Sequence, residues 1–544
     1  MRTEEQAHLK RCSLSEVGIE ASGVKRFLDE IEEGDYHLHT FMIVRHGKVA
    51  YECSWAPYEL EEEHLMHSFT KGLVATAIGI LEGEGRISLD DPLISYFPEY
   101  EVDHQNGLLD EITLWTLLTM TSGHASVPDR HGCDDEVKTF LTQPIVNRPG
   151  TVFLYDSMGT SMLSAVVKRV TGYNLFQFLE LRVFRHLGIT GVSCDTCTSG
   201  KDQGGGGSHL KTEDMAKITQ LYLNKGCWNG KQLIPKDWVE RMTRVQFADS
   251  KDGSNPDWED WKCGYGFQVW MCQVPNTFRF DGMYGQFGVV FKDLDTAVIT
   301  TCGECVTEEI LRLIWKDLVP AIKAEPKEDE IDGTNKTTGA GKSGLSENQV
   351  EIEAELEKIK ATLHIQWEME DQVSVERAEV LWKALLDRDL IFPENRESVL
   401  SKGRVKNFFT STWTEQQRNG IQKLRFVREN GKLFLLSEDN RNHAKLPVGE
   451  GEPEEGLLCT LWGDYRVWTA VRWTKEEKLE MQIRMVNGEY YQVFTIEPKS
   501  DGASAIVSLY SGPWDRRNGK PEQSYRVKFE YENTVGREKI DLKT

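Results

Sequence analysis

Ser68 and Lys71 stand three residues apart at the head of an apolar run, Gly72-Leu73-Val74-Ala75-Thr76-Ala77-Ile78-Gly79-Ile80-Leu81. On a helix that spacing brings a hydroxyl and an amine onto one face. An amine held away from water sheds its proton more readily, because desolvation disfavours the ammonium, and it can then draw the proton from the hydroxyl. Ser-x-x-Lys alone is a short pattern whose plainest reading is a capping serine followed by a solvated lysine. The run behind it changes that reading, since it predicts a buried helix, and a lysine leading a core helix is poorly explained as surface decoration. The serine then sits near the helix N-terminus, where free amides favour developing negative charge. The pair is a candidate activated nucleophile.

A second chemical candidate is Tyr155, which the run Val152-Phe153-Leu154 delivers just ahead of a helical segment, followed by Asp156 and Ser157. A phenol beside an ammonium can share one mobile proton with it, so Tyr155 is a candidate relay for Lys71. A core tyrosine closing a strand is the alternative for that segment taken alone. His64, His67 and His124 lie near these motifs and suggest a Ser-His-Asp triad, but no Gly-x-Ser-x-Gly elbow accompanies them. Solvent-facing or core-satisfied histidines are the expectation.

These residues need elements to hold them. Thr40 to Trp55 reads as two strands around the turn Arg45-His46-Gly47-Lys48, a hairpin ahead of the serine. Helical stretches follow to about residue 245, including Ser161 to Val170 and Leu175 to Leu187. Strands return at Gly264 to Met271, Thr277 to Arg279, Gln286 to Phe291 and Thr296 to Thr301, and Ile310 to Val319 closes the region as a helix that Pro320 ends. That order predicts an α/β (α+β) domain, with one antiparallel sheet built from both ends of residues 1–323 and helices inserted between. Residues 324–348, rich in Glu, Lys, Gly, Thr and Ser, read as a flexible linker, and 349–402 as a helical connection. From about Gly403 short alternating strands with polar turns predict a C-terminal all-β domain over 403–544, a small barrel or sandwich, in which Trp413, Trp462, Trp468, Trp473 and Trp514 are read as core and turn packing.

At 544 residues and 39% apolar content the chain can bury a large core. With 64 basic against 87 acidic residues its formal net charge is −23, which opposes general binding to nucleic acid or anionic membrane. No secretory signal pattern or long uncharged apolar span is read, so a soluble cytoplasmic protein is the expectation. Eleven cysteines scattered through the chain fit a reducing compartment. Cys194-x-x-Cys197 and Cys302-x-x-Cys305 have zinc-ligand spacing, but they lie more than a hundred residues apart and Cys302 closes a β-branched run that reads as a strand, so small buried residues are the favoured reading. No metal and no organic cofactor is expected.

Taken together the segments resemble the serine β-lactamase-like superfamily, in particular the class C branch with its related esterases, amidases, D-aminopeptidases and penicillin-binding proteins. Ser68-x-x-Lys71 matches its first motif, and Tyr155-Asp156-Ser157 resembles its second, with Ser157 where asparagine is usual. Ile112 to Gly123 is similar to the signature ITVRHLLTHTSG, and Gly205-Gly206-Gly207-Ser208 with Asp214 to the GGLxSTxxDLA segment. The third motif, a cation followed two residues later by glycine, is read at Met283-Tyr284-Gly285-Gln286, where no cation stands. Arg279 is the nearby substitute. The resemblance implies a β-lactamase-like fold and a hydrolase that forms an acyl-enzyme on Ser68, assisted by Lys71 and Tyr155. It also implies an oxyanion site between the amides of Ser68 and Gln286, with Gly285 permitting close approach and Tyr284 and Ser157 lining the substrate. The substrate implied is a small ester or amide, and the missing cation counts against a true β-lactamase. A descendant that binds or assembles without catalysis is the alternative, which the retained Ser68, Lys71 and Tyr155 oppose.

Overall fold

A computed structural model describes residues 8–127, 135–195, 202–251, 258–322, 347–365, 372–391, 423–438, 443–460, 463–488, 491–499, 504–512 and 523–531. Residues 324–346 of the expected linker, Cys197, Trp413, Trp462, Trp514 and the onset at Gly403 lie outside these residues, and the linker's last two residues open a helix. The chain forms two compact units, 1–365 and 366–544.

In the first unit helix α1 (Ala21–Glu33) leads into the hairpin β1 (Leu38–Arg45) and β2 (Lys48–Ser54), then helix α2 (Phe69–Gly83). Helices α3 (Ser157–Thr171) and α4 (Thr212–Leu223) follow, then strands β3 (Trp270–Met271), β4 (Thr277–Gly282), β5 (Gln286–Phe291) and β6 (Thr296–Cys302), and helix α5 (Thr307–Leu313). The sheet runs Lys10–Arg11, β2, β1, β6, β5, β4, β3. The N-terminal hairpin therefore pairs with the late strands through β1 and β6, as the order of elements predicts.

Both faces of this sheet are covered. Phe41 and Ile43 of β1, Phe287 and Val289 of β5 and Val298 of β6 pack with Phe27 and Leu28 of α1 and with Ile310 and Leu311 of α5. Met42 and Val44 on the opposite face meet the layer that holds Phe69, Val74 and Ile78 of α2 and Leu163 of α3. Two covered faces explain why β1 reads as a continuous apolar run: an antiparallel strand alternates only when one face meets water.

Every residue of α2 from Phe69 to Leu81 is buried. Its close approach to the sheet depends on Gly72, where a methyl group would overlap the Phe280 ring of β4. Gly72→Ala is expected to cost about 1–3 kcal/mol by overpacking. Thermal unfolding checks this, and an unchanged midpoint would show that Phe280 can give way.

Three expectations are corrected in this unit. The run Gly264 to Met271 is a strand only at Trp270–Met271, because Gly264 (φ +94°) and Gln268 (φ +63°) turn the chain. β4 extends past Arg279 to Gly282. Pro320 does not end the last helix but sits in the first turn of Val319–Ala321, where its missing N–H costs nothing.

The region 349–402 does not form one helical connection. Helix α6 (Glu347–Ile359) belongs to the first unit, with Leu356 in the α1 layer and Gln349 Oε1 accepting from the Ala21 N–H. Helix α7 (Val375–Leu385) and strand β7 (Arg388–Ile391) belong to the second. There the described strands form one ten-stranded sheet whose first strand in sheet order, His443–Glu450, also pairs with Gly463–Trp473, so the sheet nearly closes on itself as a barrel. Its core takes in α7: Trp382 packs on Phe426 and Trp473, with ring centroids 5.6 and 5.5 Å away. Among the described residues no helix is long and apolar enough to cross a membrane.

Candidate active site

Ser68 caps α2, and the chain reaches it through His67 in a left-handed conformation (φ +46°). The approach is braced by the glycine-rich segment. Met66 N–H donates to Ser208 O at 2.8 Å, and the Thr70 and Ser208 hydroxyls lie 2.7 Å apart. One turn along, Lys71 is fully buried and its Nζ donates to Ser68 Oγ at 2.7 Å and to Gly205 O at 2.6 Å. The helical spacing read from the sequence thus puts amine and hydroxyl in direct contact, and Gly205 supplies a carbonyl that aims the amine.

Tyr155 arrives on the segment ahead of α3, held where Leu154 N–H donates to Met120 O at 2.8 Å and Asp156 caps the helix by accepting from Met158 N–H at 2.7 Å. Its ring stacks on Trp270 (5.6 Å) and edges Tyr265 (6.3 Å), and Lys71 Nζ lies 5.0 Å from the ring centre. Burial pushes the Tyr155 phenol well above the ordinary tyrosine range; a hydrogen bond with Ser68 opposes this, and the nearby charge of Asp281 adds to it. Tyr155 is therefore a protonated phenol at neutral pH. Ser157, half-buried at the first turn of α3, makes no side-chain hydrogen bond among the described residues. Lys71 Nζ donates instead to Ser68 Oγ and Gly205 O.

The third wall is the end of β4. Gly282 passes so close to Met66 that a Cβ there would overlap the Met66 carbonyl. This puts the β4–β5 turn, Met283-Tyr284-Gly285, beside the approach to Ser68. Met283 is 48% exposed, and the Tyr284 ring meets His67 edge-on at 5.3 Å. Among the described residues neither the Ser68 nor the Met283 backbone N–H donates a hydrogen bond.

Gln286, the expected amide donor, lies one strand further in. It opens β5, paired with Gly282 on one side, and its buried side chain clamps Cys302 of β6 on the other: Nε2 donates to Cys302 O at 2.7 Å and Oε1 accepts from Cys302 N–H at 3.1 Å. Gly285 (φ +93°) allows the turn to pass against the Cys302 side chain, which a methyl group would crowd. Both residues shape the turn, in which the Met283 N–H donates no hydrogen bond among the described residues.

Arg279 does not offer a cation to the site. It is fully buried over the Trp261 ring (4.4 Å), with Nη1 on the carbonyls of Asp260 and Met271 and Nε on Asp281 Oδ2 at 2.7 Å. The histidines form no triad with Ser68 through the contacts seen. His64 is buried against His39 at 2.9 Å, and His124 is buried against Phe140, with its imidazole lowered to about 4 by burial. Asp281 and the Gly205 carbonyl were not singled out in the sequence. Asp281 falls two residues beyond the expected end of its strand, and a backbone carbonyl carries no side-chain signature.

Several known proteins are similar to this chain over part of its length. The chain is 24% identical over 221 residues to the 6-aminohexanoate-dimer hydrolase of Paenarthrobacter ureafaciens, covering 37% of this chain and 56% of that protein. It is 29% identical over 175 residues to Esterase EstB of Burkholderia gladioli, covering 27% and 44%. The chain thus spans about half the length of these curated relatives. A penicillin-binding protein homologue from Caulobacter crescentus aligns structurally with a TM-score of 0.47 at 14% identity, covering 56% of this chain and 97% of that one. The model of the family described as Beta-lactamase matches residues 29–302, just over half of the chain and the span that carries Ser68, Lys71, Tyr155 and the β4–β5 turn, and the chain belongs to that family.

Proposed function

We propose that the protein is a serine hydrolase that cleaves small esters or amides through an acyl-enzyme on Ser68. The observation that carries this reading is the part-buried contact of Lys71 Nζ with Ser68 Oγ at 2.7 Å, next to the partly buried Tyr155. In this reading Lys71, as the neutral amine, takes the hydroxyl proton while Ser68 Oγ bonds to the carbonyl carbon. The carbonyl oxygen gathers negative charge between the Ser68 and Met283 N–H groups. Tyr155 gives its proton to the leaving oxygen or nitrogen as that bond breaks, and regains one from Lys71. Water then attacks the acyl carbon, giving up its proton through the same pair, and the acid leaves with Ser68 restored.

Assigning the acid role to Tyr155 follows from its burial, which keeps the proton on the phenol. Met283 is assigned as the second amide in place of Gln286 because Gly282, the residue before it, passes against the Met66 carbonyl two residues from Ser68. The substrate class is proposed from the chemistry, and similarity to a 6-aminohexanoate-dimer hydrolase and to an esterase supports it. The test is turnover of p-nitrophenyl acetate by wild type and Ser68→Ala. Saturable hydrolysis lost in the variant supports the reading, and equal rates would remove Ser68 from it.

A further inference from the structure

The rim of the site beyond Arg279 carries one charged side chain that the proposed chemistry does not use. Strand β3 pairs with β4 only at Phe278 and Arg279, so the outer edge of β4 is open over Phe280, Asp281 and Gly282, next to Met66 and Ser68. Phe278 and Phe280 face the α2 layer, while Arg279 and Asp281 face the layer of Trp270 and Tyr155. The two charges differ in reach. Arg279 is 0% exposed, enclosed by Trp261, Trp270 and backbone carbonyls, whereas the Asp281 side chain keeps 11% of its surface. Only the carboxylate of this ion pair keeps exposed surface; burial pushes it above the ordinary carboxylate range, and the 2.7 Å bond from Arg279 Nε to Oδ2 opposes that shift and favours the ionised form. Its field reaches the catalytic candidates, since its charge acts on both Tyr155 and Lys71.

We propose that Asp281 sets the specificity of this site, favouring esters or amides that carry a cationic group near the scissile bond and rejecting those that carry a carboxylate there. The inference rests on Ser68 being the nucleophile. A fixed carboxylate in a partly desolvated rim attracts a substrate ammonium more strongly than water-exposed charge does, and it leaves an incoming carboxylate facing a like charge. The net charge of −23 works in the same direction by drawing cations toward the protein.

The test compares three p-nitrophenyl esters matched in size: 4-(trimethylammonio)butanoate, its uncharged 5,5-dimethylhexanoate counterpart, and glutarate as the monoanion. Wild type is expected to show kcat/KM about tenfold higher for the cationic than the neutral ester, with the anionic ester lowest. In Asp281→Asn the cationic-to-neutral ratio should fall to near one, whatever the absolute rate. Asp281→Asn leaves Arg279 buried without its partner, so the double variant Arg279→Met/Asp281→Asn, which removes both charges, carries the same measurement if the single one does not fold. A wild-type ratio of one or less, or a ratio that survives in either variant, would overturn the proposal. Fluorophosphonate labelling of Ser68 in the same preparations separates the two readings: labelling with a flat charge ranking removes only the role of Asp281, and failure to label removes the hydrolase reading beneath it.

Discussion

Lys71→Met is expected to slow acylation of Ser68 by roughly 10²–10⁴-fold, the range over which a positioned proton acceptor contributes. Methionine fills the same buried volume without an amine. It cannot hold the proton that Ser68 must lose, and it leaves the Gly205 carbonyl without the donor it has at 2.6 Å. That orphaned acceptor costs about 1–3 kcal/mol, offset in part because a buried amine no longer needs to be desolvated. The variant should therefore fold, with a melting temperature within several degrees of wild type, and should fail in the chemical step. Stopped-flow measurement of the acylation burst with an activated ester reads the step directly. A burst rate within a few-fold of wild type would remove Lys71 from the reaction.

Tyr155→Phe has the next largest expected effect, and it depends on the leaving group. The ring would keep its contacts with Trp270 and Tyr265, so the fold is unchanged, but the transferable proton is gone. An alkoxide or amine leaving group needs that proton, whereas p-nitrophenolate departs without it. The loss should be about 10²-fold or more for alkyl esters and much smaller for p-nitrophenyl esters. Equal losses for both would mean that Tyr155 acts by position and not as an acid.

Much of the site could be read in the sequence, and what escaped did so for physical reasons. Ser68 and Lys71 were legible because an i, i+3 pair ahead of an apolar run fixes both the shared face and the burial of the lysine. Tyr155 was legible because a short apolar segment must end where the helix begins. Gln286, expected to line the oxyanion site, opens the strand between β4 and β6 with its side chain clamped on Cys302, and order within a sheet does not follow from one strand's own residues. The boundary of β4 decided the rest: a strand ended at Arg279 hides both Asp281 and the approach of Gly282 to Met66. In the second unit, Leu479–Met485 alternates apolar and polar residues strictly, whereas His443–Glu450 and Glu454–Thr460 do not. The first contains Pro447 and the second opens on two glutamates, so the apolar signal was too thin to mark strands that pairing nevertheless forms.

The central claim is that Ser68 forms a covalent acyl intermediate, and intact-protein mass after reaction tests it most directly. Wild type and Ser68→Ala would be exposed in parallel to a fluorophosphonate, an activated short-chain ester and a penicillin. Expected are a single fluorophosphonate adduct on wild type, mapped to the peptide containing Ser68, a transient acyl adduct from the ester, and no adduct on Ser68→Ala. An adduct on Ser68→Ala, or wild type left unmodified by every reagent, would contradict it and leave a fold that binds without this chemistry.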